Sequence, residues 1–240
     1  MTALAPAGTH PASPRDVVAL QYSNRNRMLG VPLYILGGVV LLSVVIGLAI
    51  QRAGGDLDDA DFNASVLYSV LGYTVAIGVQ NVASSFPFAL ALGSTRSTFV
   101  LGNLLTSAVQ AVLVAVTAVA LLGVELLTHG WFIGARTLSP VPMGAGNPAV
   151  LGGIMLLATL TALSVGGVFG ASYVRFGGRG PLAAGIGIAA VVVLLLLLLV
   201  PQAAAVAAAF RPWWLAVGGA VVIGLSAVGQ YLFLRRASVR

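Results

Sequence analysis

Six long apolar runs, at residues 29 to 50, 64 to 86, 99 to 127, 149 to 172, 181 to 200 and 212 to 234, alternate with short polar segments along the chain. Each is close to the ~20 residues that an α-helix needs to cross the hydrocarbon of a bilayer. The runs are apolar on every side. They lack the one-sided stripe of a helix on a soluble domain and the alternating polarity of a membrane strand. The pattern predicts an all-α, polytopic membrane protein, with a transmembrane domain of six spans over residues 29 to 240 and an N-terminal tail over residues 1 to 28. Within the tail, residues 1 to 14 are rich in Ala, Pro, Ser and Thr and carry no apolar stretch of the kind found in a cleaved leader, so they are expected to be disordered. Residues 15 to 28 mix Arg15, Asp16, Arg25 and Arg27 with Val17, Val18, Leu20 and Tyr22, the pattern of a short helix lying along the membrane surface.

Composition strengthens this picture. Of the 240 residues 59% are hydrophobic and 8% charged, against ~25% charged in soluble domains. All twelve basic residues are arginines, and the net charge is +6. A nucleic-acid binder gathers its basic residues on one face, whereas these lie in the short segments between apolar runs, so no nucleic-acid partner is expected. With the N-terminus inside, nine arginines (Arg15, Arg25, Arg27, Arg96, Arg175, Arg179, Arg235, Arg236 and Arg240) fall on the cytoplasmic side and three outside. The same orientation puts Asp56, Asp58, Asp59 and Asp61 outside and sets Trp131, Trp213 and Trp214 at outer span ends, where aromatic belts lie. Both termini are therefore expected in the cytoplasm. The all-arginine, alanine-rich composition points to a GC-rich bacterial genome and hence to a bacterial plasma (inner) membrane.

Candidate chemistry is sparse. The absence of cysteine excludes disulfides, thiolate metal sites and a cysteine nucleophile. The two histidines, His10 and His129, lie off the spans, and serines such as Ser84, Ser85 and Ser164 have no base beside them, so no catalytic centre and no metal site are expected. No ionisable residue sits at mid-span. Glu125, near the outer end of the third run, is expected at the interface within reach of water rather than as a proton carrier. The run DLDDAD departs from a calcium loop by Asp61 where glycine is needed and Leu67 where glutamate is needed. Uncharged polar residues concentrate in the second and third spans: Gln80, Asn81, Ser84 and Ser85, then Asn103, Thr106, Ser107 and Gln110. Asn81 with Ser85, and Asn103 with Ser107 and Gln110, share helix faces, so the two stripes either bond to each other or line a hydrated path, packing being favoured. Small residues, Gly166 with Gly170, Gly185 with Ala189, and Gly218, Gly219, Gly224 and Gly229, predict close helix packing.

The most individual stretch is SSFPFALALGSTRSTFVLGN, residues 84 to 103. Pro87 is expected to break the second helix, with a short cytoplasmic-side helix following and a turn at Gly93 beside Arg96. The stretch resembles the FPF-(apolar)-LG-x-[ST]-R-x-x-(F/Y)-x-x-G segment of bacterial ABC transporter permeases of the exporter type. That resemblance implies six helices with both ends cytoplasmic, an interfacial helix over residues 15 to 28, and an ATPase-coupling element formed or flanked by Phe86, Pro87, Phe88, Leu92, Gly93, Ser94 and Arg96. It also implies a separate cytoplasmic ATP-binding subunit, which would carry ATP and Mg, and a second permease subunit beside this one. The chain has no G-x-x-x-x-G-K-[ST] loop, so no cofactor is expected on it. The family's re-entrant helices between spans five and six have little room in residues 201 to 211. Either residues 195 to 212 dip back into the bilayer or the loop 128 to 148 covers the outer side. The function implied is export of a hydrophobic or amphipathic substrate such as a drug, peptide or lipid. The alternatives are a non-transporting membrane anchor or accessory subunit and, less favoured, a secondary carrier for a neutral solute.

Overall fold

A computed structural model describes residues 13 to 55, 65 to 140, 143 to 203, 211 and 213 to 237, and these are almost entirely helical. A short helix, α1 (Pro14–Gln21), precedes a π-helical turn (Asn26–Gly30) that feeds α2 (Val31–Arg52). α3 (Ser65–Ala91) and α4 (Arg96–Leu127) form a long hairpin, α5 (Pro148–Phe176) and α6 (Arg179–Leu199) a second, and α7 (Trp213–Leu234) closes the fold. Six of these helices are long and apolar enough to cross a membrane. The spans lie close to the six predicted runs. The aspartate run at residues 56 to 61 and most of the segment 201 to 211 lie outside the described residues.

Local chemistry sets the helix ends. Ser13 and Asp16 form a capping box at α1, with the Ser13 N–H donating to Asp16 Oδ2 at 2.7 Å and the Ser13 hydroxyl donating to it at 2.9 Å. The Thr95 hydroxyl caps α4 by accepting from the Thr98 N–H at 3.1 Å. Asn147 caps α5, which opens on Pro148, by accepting from the N–H groups of Ala149 and Val150. Only Gly177 and Gly178 separate α5 from α6, and the approach is so close that a Cβ on Gly180 would lie 2.2 Å from the Ser172 carbonyl oxygen.

α5 is the central helix, packed against α3, α4, α7 and α6. Its small residues allow this. A Cβ on Gly166 would sit 2.3 Å from the Val75 carbonyl oxygen and one on Gly170 2.5 Å from that of Val79, so α3 and α5 touch backbone to backbone. The expected packing role of Gly166 and Gly170 is thus met. A Cβ on Gly219 would lie 2.7 Å from Leu157, whereas one on Gly185 would make only an ordinary contact with Phe169 at 3.8 Å and Gly218 and Gly224 face open space, so these last three play no such role within one chain. One apolar core joins Leu36, Val40, Val114, Leu122, Leu151 and Met155. A second gathers Val17, Val82, Phe86, Phe99, Ala171 and Leu234, with the Phe86 and Phe99 rings edge to face at 5.1 Å, and a third, smaller one joins Met28, Ile77 and Leu163.

α6 is different. None of its spanning window is buried, and among the described residues its main packing is on α5. Leu194, Leu196, Leu197 and Leu198 all stand exposed, a surface suited to hydrocarbon and not to water. α6 continues unbroken to Leu199 and passes into a 3₁₀ turn at Val200–Gln202, so no dip back into the bilayer begins at residue 195.

Two corrections to the sequence reading follow. α3 runs straight through Pro87 to Ala91, so the separate short helix expected after Pro87 does not form. Pro87 lacks only the bond to the Ala83 carbonyl and stands one turn from the helix end. The pattern resumes at once, with Leu92 N–H donating to Phe88 O at 3.0 Å. The chain then turns in a Schellman cap, Ser94 N–H donating to Ala89 O at 2.9 Å with Gly93 at φ +84°. The second correction concerns Glu125. It is 1% exposed instead of open to water, because residues 131 to 139 fold back over it with their own donors, and it meets only the edge of a cavity lined by His129 and Arg136.

Candidate functional site

The uncharged polar residues of the spans meet in one chain of amides. The Gln21 side chain, entering from α1, donates through Nε2 to Asn103 Oδ1 on α4 at 3.1 Å and to the Asn81 carbonyl on α3 at 3.3 Å. Asn103 Nδ2 donates to Gln230 Oε1 on α7 at 2.9 Å, and Gln230 Nε2 donates to the Ser164 carbonyl on α5 at 3.2 Å. Three side-chain amides therefore tie five helices together, with Gln21, Asn103 and Gln230 all buried. A second knot lies toward α2. The Tyr22 hydroxyl donates to Gln110 Oε1 at 3.2 Å, and Gln110 Nε2 donates to the Met28 carbonyl at 2.6 Å. Burial pushes the Tyr22 phenol up to about 12, so it stays a donor at neutral pH.

Among the candidate polar residues, Asn103 and Gln110 thus bridge helices. Ser107 bonds back to the Asn103 carbonyl at 2.9 Å, and Thr106 to that of Gly102. Asn81 is buried while its neighbour Gln80 is exposed, and the Ser84 hydroxyl turns back to the Gln80 carbonyl. Ser85, half-buried, borders a cavity with Asn81. The stripes of α3 and α4 do not bond directly to each other. Gln21 joins them, a partner that spacing along α3 and α4 does not reveal. Gln230 was available as a signal, being the one amide in the apolar run of α7.

The coupling candidates all lie at the turn end of the α3–α4 hairpin and divide between its core and its surface. Phe86 is buried in the core, Pro87 half-buried, and Ser94 buried in the turn. Phe88 (66% exposed), Leu92 (69%) and Gly93 project outward. Arg96, in the first turn of α4, donates from both terminal nitrogens across to the end of α7, to the carbonyl oxygens of Arg235 and Ala237, the latter at 3.0 Å. A cation at the negative end of α7 is electrostatically favoured there. Arg175 stacks on the Phe176 ring at 4.5 Å, beside Phe233 of α7.

This end of the bundle also receives the start of the chain, since Pro14 and Val17 press on Gly102 of α4. Ser13 and Ala237 therefore lie at the same end. α4, with 32 residues, is about 48 Å long, well beyond the ~30 Å of hydrocarbon. From Gln110, level with Met28 at the start of the first span, α4 continues about 21 Å along its axis to Arg96. The α3–α4 turn is thus a tip at one end of the bundle, level with the end of α7.

At the other end Glu125 organises the loop after α4. Its Oε2 accepts from Trp131 Nε1 (3.1 Å), the Thr137 N–H (3.2 Å), the Thr137 hydroxyl (2.5 Å) and the Leu138 N–H (2.8 Å). Its Oε1 accepts from the N–H (3.1 Å) and hydroxyl (2.5 Å) of Ser139. The loop stores strain, with His129, Trp131 and Phe132 at positive φ, and it is pinned to α2 by Gln51 Nε2 donating to Ile133 O at 2.7 Å. A carboxylate so fully supplied with donors is a structural anchor.

No protein-family model matches this chain, and neither a curated protein nor a solved structure gives a match.

Proposed function

We propose that the chain is the membrane-spanning subunit of an ATP-driven exporter in a bacterial inner membrane, working with a separate cytoplasmic ATP-binding subunit and a second permease subunit. The observation that carries this reading is the α3–α4 tip. It holds the FPFALALGSTR stretch, lies at the end of the bundle, offers Phe88, Leu92 and Gly93 to a partner, and is bonded through Arg96 to the end of α7. A push on such a tip is transmitted to two helices at once and, through the Asn103 and Gln230 amides, to α5 and α1. The tip end faces the cytoplasm in this reading, because Arg96, Arg175 and Arg235 gather there. ATP and Mg would sit on the partner. The substrate would be amphipathic or apolar, moving along the apolar faces that α6 and α7 leave unpaired, between two subunits.

A second reading, an anchor or accessory subunit that moves nothing, is favoured by one observation. The polar side chains suited to line a path, Asn103 and Gln110 above all, spend their hydrogen bonds inside the bundle. Purification from native membranes in mild detergent separates the readings. Recovery of a subunit with a phosphate-binding loop and orthovanadate-sensitive ATP hydrolysis supports the exporter. Recovery of the chain alone, or with a partner that hydrolyses nothing, supports the accessory role.

A further inference from the structure

Where α5, α6 and α7 meet, positive charge gathers without a counter-charge. Arg175 lies in the last turn of α5, Arg179 opens α6, and Arg235 and Arg236 follow α7. Arg179, Arg235 and Arg236 are exposed and Arg175 is half-buried. Among the described residues the acids are Asp16, engaged with Ser13, and Glu125, enclosed by the loop after α4 at the other end of the bundle. None of the four arginines therefore has a carboxylate partner among the described residues. A surface of this kind attracts anions.

Three features of the place say which anion fits. The turn between α5 and α6 is bare, because it consists of Gly177 and Gly178, and a Cβ on either would meet nothing within 4 Å. A headgroup can settle there between Arg175 and Arg179. The Arg175 guanidinium is also held in place, 4.5 Å from the Phe176 ring centre and 5.9 Å from that of Phe233. Phe176 and, one turn earlier, Tyr173 are exposed, and aromatic rings at a span end stand at the depth of lipid headgroups. Finally, Leu182 and Ile186 follow Arg179 on one face of α6, at i+3 and i+7, and both are exposed. The same apolar face continues through exposed Val193 and Leu197. A cation at the head of an unpaired apolar face matches a molecule with an anion at the head of a hydrocarbon chain. An acidic protein surface would match the arginines and leave the apolar face unexplained.

We propose that the α5–α6 turn is a binding surface for an anionic phospholipid, with its phosphate against Arg175 and Arg179 and its acyl chains along the Leu182 and Ile186 face of α6. Arg235 and Arg236, just beyond Phe233, add attraction from the side of α7. The bound lipid would tie α6, whose main packing is on α5, to the end of the bundle.

The test is native mass spectrometry of the purified full chain in mild neutral detergent, with equal amounts of phosphatidylglycerol and phosphatidylcholine added. The surface predicts that phosphatidylglycerol is retained in preference by about tenfold or more. Arg179→Gln, which removes an exposed side chain, should lower that preference by about fivefold, and Arg175→Gln with Arg179→Gln should abolish it. Gly178→Glu is the independent variant. It leaves every arginine in place and sets an acid between the two, at a backbone position of ordinary helical φ (−60°) with open space around it. The preference should vanish while the melting temperature without lipid stays near that of the parent. Arg52→Gln with Arg136→Gln removes the same charge at the other end and should leave the preference intact. No preference in the parent, a preference that survives Gly178→Glu and the double change, or one lost equally in the Arg52 and Arg136 control overturns the proposal. So does a soluble acidic protein, recovered from native membranes with the parent and not with Gly178→Glu, when no lipid preference accompanies it.

Discussion

Replacing Asn103 by alanine removes the middle of the amide chain. Two hydrogen bonds disappear, from Gln21 Nε2 and to Gln230 Oε1. Gln21 keeps its contact to the Asn81 carbonyl and Gln230 keeps its own to Ser164, so each loses one partner and neither becomes wholly orphaned. A buried group left unsatisfied costs about 1 to 3 kcal/mol in a protein interior, while interhelical bonds in membranes average about 0.6 and reach about 1.7 kcal/mol. Two of them together give an expected loss of about 1 to 3 kcal/mol. Ser107→Ala is the internal control, because the Ser107 hydroxyl bonds only to the Asn103 carbonyl within its own helix and should cost less than about 0.5 kcal/mol. The assay is reversible unfolding in mixed micelles of rising denaturing detergent, read by helix content and tryptophan emission. A further comparison sharpens it. The triple change Gln21→Leu, Asn103→Leu and Gln230→Leu removes donors and acceptors together and should recover part of the loss. If Asn103→Ala proves no more destabilising than Ser107→Ala, the amide chain does not hold these helices together.

Three other outcomes are expected. Glu125→Gln sets an amide N–H₂ against donors that now meet a carboxylate oxygen, so the loop after α4 should loosen by about 2 to 4 kcal/mol, seen as faster deuterium uptake over residues 129 to 139 with the spans unchanged. Gly166→Leu should force α3 from α5 and cost at least about 1 to 3 kcal/mol, whereas Gly218→Leu, facing open space, should leave the unfolding midpoint in place. The Ser13 N–H and hydroxyl hold the Asp16 carboxyl below its ordinary 3.8. The capping box is therefore fully present above that value and is lost as pH falls through the lower folded value. Amide exchange in the first turn of α1 should quicken only below about pH 4, and Asp16→Asn should remove that dependence.

What was legible along the chain is what depends on neighbours in sequence. The run 149 to 172 falls within α5 (Pro148–Phe176), because Pro148 with the Asn147 cap opens it and Gly177 closes it. Gly93 marks its turn because only its positive φ allows the Schellman bonds. What escaped depends on distance in sequence. Gln21 meets Asn103 across 82 residues, and nothing in the spacing of either helix announces it. Pro87 read as a break because its cost is local and visible, whereas the core contacts of Phe86 and Phe99 that keep α3 going are tertiary. Glu125 read as wet because the donors that bury it come from a loop with no regular period.

The docking of an ATP-binding subunit on the α3–α4 tip is tested most directly by a single cysteine at Leu92, in a chain that otherwise has none. Membranes from the native host would be treated with a short bifunctional thiol and amine reagent, with Val193→Cys on the exposed face of α6 as the control. The account predicts a cross-link from position 92, and none from position 193, to a subunit carrying a phosphate-binding loop, with ATP hydrolysis abolished once the link forms. Full hydrolysis by the linked complex, equal linking from both positions, or no such subunit at position 92 would contradict it.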